Sequence, residues 1–185
     1  MTRMVLGLAG EMASGKGTVS EYLNEKCDTS QHRFSTMLRD VLDRLHLENS
    51  RDNLQNLSTM LRQTYGEDTM ARVMAEDAKS DAAEIIVIDG VRRMDDIKYL
   101  KELPEFKLVY IDVDIRTRYE RIIQRSENVD DQNKTFEEFE AESKNESEAQ
   151  VKGLKEFADV IINNSGSVEE LHKQVDDLVD SKKVC

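Results

Sequence analysis

Gly10-Glu11-Met12-Ala13-Ser14-Gly15-Lys16-Gly17-Thr18 constrains this chain more than any other stretch. It follows a short apolar run, Met4-Val5-Leu6-Gly7-Leu8-Ala9, and precedes Val19, Tyr22 and Leu23 at helical spacing. Strand, Gly-x4-Gly-Lys, helix is the order in which a phosphate-binding loop occurs. Its glycines let the backbone turn tightly, so that successive N–H groups converge on a polyphosphate. The helix that follows aims the positive end of its dipole at the same anion. Gly10, Ala13, Ser14, Gly15, Lys16, Gly17 and Thr18 are therefore the expected ATP-binding residues, with Lys16 adding a full charge near the bond that breaks. Gly17 stands where a hydroxyl residue usually binds magnesium. The hydroxyl comes one position later, on Thr18, which is the expected metal-side oxygen.

A second signal is Glu84-Ile85-Ile86-Val87-Ile88-Asp89-Gly90-Val91-Arg92-Arg93. The β-branched run fits a parallel strand buried on both faces. An acid at its carboxyl end lies where ligands bind in open α/β sheets, and Asp89 can hold magnesium through water. Phe106 to Asp112 and Val160 to Ile162 read as further strands, and His32-Arg33-Phe34 as a weaker one after a break at Asp28-Thr29-Ser30. Helical spacing covers 19–26, Leu38, Leu42 and Leu45 with Ser35 or Thr36 as cap, 51–80 with a break at Tyr65-Gly66, 95–101, 116–125 and 168–179. Five strands alternating with helices imply an α/β fold, a parallel sheet covered on both faces.

Net charge is −12, which argues against a nucleic-acid backbone as partner. It does not argue against a nucleotide held by local arginines. No apolar run approaches the ~18 residues of a membrane span, and the chain opens directly on a strand, so no membrane partner and a cytoplasmic location are expected. In that compartment Cys27 and Cys185, which have no metal-ligand neighbours, read as thiols. On a helix Arg118, Arg121 and Arg125 fall on one face. Residues 126–150 carry nine acids and two lysines, with Phe136 and Phe139 as their sizeable apolar anchors, a composition that suits a loosely held lid.

Gly15-Lys16-Gly17-Thr18, Asp89-Gly90 followed by arginine, and Arg121-Ile122-Ile123-Gln124-Arg125 together resemble adenylate kinase and related nucleoside monophosphate kinases. The resemblance implies a three-layer P-loop kinase fold, a five-stranded parallel sheet with a short helical lid, in one domain over 1–185. It sets an acceptor-binding arm at about 36–80 and the lid at about 116–150. In such kinases the arginine matching Arg39, in Phe34-Ser35-Thr36-Met37-Leu38-Arg39, grips the acceptor phosphate, although two residues are missing between Thr and Met. Arg93 matches a second phosphate contact, and Arg92 rivals it on an Asp-x-x-Arg pattern. Arg121 and Arg125 match the arginines that touch the donor base and the phosphates, and Lys16, Arg93, Arg121 and Arg125 are the implied catalytic set.

The stretch from Arg51 to Asp68 resembles the acceptor arm of deoxynucleoside monophosphate kinases, where Arg62 is either a second acceptor-side cation or an exposed helix face. Ala158 to Ser167 resembles the end of dephospho-CoA kinases. There the turn with Asn164 and Gly166 borders the adenine, or is a plain turn capped by Ser167. The implied activity is transfer of the γ-phosphoryl group of ATP, with magnesium, to a nucleoside or deoxynucleoside monophosphate, by a monomer or homodimer. A dephospho-CoA kinase and a nucleotide-sensing switch or ATPase are the alternatives.

Overall fold

The computed structural model of the chain describes residues 3–124 and 134–180; Arg125 lies outside the described residues. Strand β1 (Met4–Ala9) is buried along its whole length because it is the middle of five parallel strands. Its neighbours are β3 (Ile85–Asp89) and β4 (Phe106–Asp112), with β2 (Thr29–Arg33) and β5 (Val160–Asn163) on the two edges. Alternation along the strands divides the apolar residues between two layers. Val5, Ile86, Ile88, Leu108 and Tyr110 pack with α2 (Phe34–Arg44), α3 (Arg51–Tyr65) and α4 (Thr69–Ser80). Met4, Leu6, Leu8, Val87 and Ile111 pack with α1 (Lys16–Lys26) and α8 (Val168–Asp180) on the other side. The result is the three-layer fold that the residue pattern implies.

Four local expectations are corrected. The weak strand expected at His32-Arg33-Phe34 runs instead over Thr29–Arg33, since an edge strand pairs on one side only and tolerates polar residues. Neither Ser35 nor Thr36 caps α2. The helix starts at Phe34, directly after Arg33, because burial of the Phe34 ring sets its first turn. Residues 95–101 form no continuous helix but two 3-10 turns, Met94–Ile97 and Leu100–Glu102. There the buried Asp96 carboxylate accepts the N–H groups of Arg92 and Arg93, at 2.9 and 3.0 Å, which pins the start of the first turn. Cys27, which closes α1, is disulfide-bonded and not a thiol.

Between β4 and β5 lie α5 (Ile115–Gln124), α6 (Phe136–Glu142) and α7 (Glu146–Gly153). Thr135 and Glu138 form a capping box at the start of α6, and Phe139 is fully buried. The described part of the acid-rich segment is thus anchored more firmly than its composition suggests. At the outer edge of β5 the Gln174 side-chain amide from α8 takes both backbone polar groups of Asn163. It donates to the carbonyl at 2.8 Å and accepts the N–H at 2.9 Å. Among the described residues no helix is long and apolar enough to cross a membrane.

Candidate active site

The loop between β1 and α1 is shaped by residues that tolerate no side chain. A Cβ on Gly10, at φ 153°, would lie 2.5 Å from the Ser14 hydroxyl and 2.7 Å from the Ile111 carbonyl. Gly15 caps α1 at φ 94°, and a Cβ there would lie 2.2 Å from Asn164 Nδ2. Lys16 Nζ folds back over the loop and donates to the carbonyls of Gly10 at 2.6 Å and Glu11 at 3.2 Å. The first turn of α1 holds no acidic residue, so nothing on the helix itself offsets its N-terminal dipole. Gly17 and Thr18 are exposed at the mouth.

Asn164 braces this loop from β5. Its side chain, almost fully buried, donates to the Ser14 carbonyl at 2.8 Å, and Arg121 from α5 donates to the Asn164 carbonyl at 2.7 Å. The other terminal nitrogen of Arg121 is buried without a partner, 3.9 Å from where a Gly15 Cβ would be. Gly166 directly precedes Ser167, which caps the start of α8 reciprocally with Glu170. Of the two turn residues, Asn164 is the one that touches the loop.

At the carboxyl end of β3, Asp89 is already engaged. It accepts the Gly90 N–H at 2.8 Å and faces Arg33 Nε at 3.1 Å, its register partner on β2. Thr18 and Asp89 are hard oxygen donors, few in number, as fits magnesium whose shell substrate phosphates complete. A cation at Asp89 would share it with Arg33, whose side chain is 52 % exposed.

Of the arginines expected on the acceptor side, Arg62 on α3 and Arg93 after β3 lie near enough for the charge of one to act on the other. Burial, and then the charge of Arg93, pull the Arg62 guanidinium below its ordinary pKa, and its Nε is buried without a partner. Asp96 stands 3.6 Å from Arg93. Arg39 and Arg92 are exposed. The corner between α3 and α4 is tied to the segment carrying Arg93 through Asp68, which accepts from Tyr99 at 2.6 Å and Lys98 at 3.0 Å.

Three further residues, from α5, α7 and β4, border the loop and were not foreseen as a group. Arg118, 3 % exposed, donates to Glu11 Oε1 at 3.0 Å and to the Met12 carbonyl at 3.4 Å, with its guanidinium over the Phe139 ring. Glu148 on α7 accepts the Met12 N–H at 3.0 Å. Beneath them burial, and then the Glu11 and Asp112 carboxylates, push the Tyr110 hydroxyl far above its ordinary pKa. The signal available in the sequence was the arginine stripe, whose first member is Arg118, set against an acid inside the loop.

A family model described as an AAA domain matches residues 6–176. The chain is similar to UPF0200 protein TK1334 of Thermococcus kodakarensis, 29 % identical over 182 residues covering 96 % of this chain and 97 % of the relative. A UPF0200 protein of Hyperthermus butylicus is 27 % identical over 93 % of this chain and 91 % of its own. Among solved structures, shikimate kinase from Bacteroides thetaiotaomicron superposes with a TM-score of 0.62 at 15 % identity, over 97 % of this chain and 98 % of that one. A sugar kinase from Janibacter superposes with a TM-score of 0.58 at 13 % identity, over 97 % and 95 %. The fold is that of small P-loop kinases.

Proposed function

The chain belongs to the AAA-domain family, and from that premise we propose that it is an ATP-dependent kinase whose acceptor is a nucleoside or deoxynucleoside monophosphate. The observation that carries this reading is Arg62, whose Nε is buried without a partner within reach of the charge of Arg93. These guanidiniums come from different elements, and one lies partly desolvated with an unpaired nitrogen. Such a pair suits a planar, charge-assisted grip on a dianion.

In this reading the loop N–H groups and Lys16 hold the donor phosphates, and Arg121 borders them beside Gly15. Thr18 and Asp89 would hold magnesium, which neutralises charge on the phosphates when bound. Arg62 and Arg93 orient the acceptor. An acceptor phosphate is already a nucleophile at neutral pH, so no general base is needed. An alcohol acceptor such as dephospho-CoA favours one, and β2 leads into Arg33-Phe34-Ser35-Thr36 with no carboxylate.

The test is ADP release by the purified protein with each nucleoside and deoxynucleoside monophosphate, with dephospho-CoA, and with shikimate. Turnover with at least one monophosphate is expected. Turnover with dephospho-CoA or shikimate alone, or slow hydrolysis that no acceptor accelerates, overturns the reading.

A further inference from the structure

Ala13 carries a side chain at φ 61°, a conformation that L residues adopt reluctantly. Something must hold it there. The peptide on its amino side is trans, so the Met12 carbonyl and the Ala13 N–H point in opposite directions. Arg118 takes that carbonyl and Glu148 takes the Met12 N–H, so the peptides on both sides of Met12 are held from outside the loop. Glu11 fixes Arg118 from the other side, and the Phe139 ring packs against its guanidinium.

The geometry points to Arg118, with Glu11 and Glu148, as positioning residues that keep the loop in its phosphate-binding form. Arg118 draws the Met12 carbonyl toward α5 while Glu148 on α7 holds the Met12 N–H, and together they turn the Ala13 N–H the other way, into the cradle. If that peptide flips, a carbonyl oxygen replaces an N–H donor and repels the anion. The inference rests on the nucleotide-binding reading of the loop but not on the identity of the acceptor. It also makes α5 and α7 part of the loop's support, rather than a cover that merely closes over it.

Isothermal titration of ATP, without acceptor, tests it on the full chain, with thermal unfolding measured in parallel. Arg118→Gln should weaken ATP binding by roughly tenfold or more, the size of one charge-assisted hydrogen bond. Arg118→Lys should recover little, because one ammonium cannot serve Glu11 and the Met12 carbonyl together. Adding Ala13→Gly to Arg118→Gln should restore part of the affinity, since glycine enters the left-handed region without penalty. A purely structural ion pair predicts no such recovery. Should Arg118→Gln fail to fold, Glu11→Gln, which keeps the side chain's shape, is expected to weaken binding in the same direction. Unchanged affinity in the folded variants, with only the melting temperature lowered, overturns the inference, as does a loss that Ala13→Gly does not relieve. Wild-type protein that binds no ATP instead overturns the phosphate-loop reading itself.

Discussion

Gly15, at the end of the loop, and Gly17, in the first turn of α1, should answer the same methyl group in opposite ways. At Gly15 a Cβ collides with Asn164 Nδ2 and the backbone sits at φ 94°, so Gly15→Ala should cost about 1–2 kcal/mol in backbone strain alone. At Gly17 nothing lies within 4 Å of a Cβ, and alanine favours a helix by up to ~1 kcal/mol. Thermal unfolding of the two variants should therefore move down for Gly15→Ala and stay or rise for Gly17→Ala. Lys16→Ala should leave the fold in place and lower ADP release by ~100-fold or more, as the loss of one preorganised charge contact does. At this scale the loop was legible in the chain because its spacing is itself the chemistry. The grip of Arg118 on Met12 was not, because it joins residues 106 positions apart and only the packing of α5 on the loop creates it. Asp89 was legible as the acid ending β3, but its pairing with Arg33 depends on the register of an edge strand that the sequence marks weakly.

Among the elements, the apolar strands β1, β3 and β4 could be read with their limits almost intact, since a strand buried on both faces needs an unbroken apolar run. The connection after Arg93 could not. Asp95 to Lys101 has helical spacing, yet the Asp96 side chain binds backbone N–H groups and holds the first turn short. That connection also fixes the corner between α3 and α4 through Asp68, and pH tests the tie. The Tyr99 hydroxyl, and then Lys98, hold the Asp68 carboxyl down to about 2 from an ordinary 3.8. A carboxyl lowered on folding stabilises fully above its unfolded pKa and loses that contribution as pH falls through the folded one. Asp68→Asn should thus be less stable to urea than wild type at pH 6. The difference should shrink between about pH 4 and pH 2, and one that stays constant with pH would place the effect elsewhere.

Taken whole, the cations proposed for the donor, Lys16 and Arg121, and those proposed for the acceptor, Arg62 and Arg93, stand on different elements, so the two ligands should be separable in stability measurements. ATP at a hundredfold excess over its Kd stabilises by ~2.7 kcal/mol. For a chain of this length that is a rise in melting temperature of roughly 5–10 °C. Arg62→Ala should keep this ATP-driven rise and lose the further rise given by a nucleoside monophosphate. Loss of both, or of neither, would remove Arg62 from an acceptor site. The margin of the sheet at β5 has a different consequence. A parallel strand with open polar groups is a template on which another chain, including a half-folded copy of the same one, can lay down a strand and grow. In this molecule the final rung is already occupied by Gln174, which imitates a neighbouring peptide and, being a side chain, offers nothing beyond itself to extend. Crowded copies of the protein meet a finished border at that point, and the sheet stops at five strands.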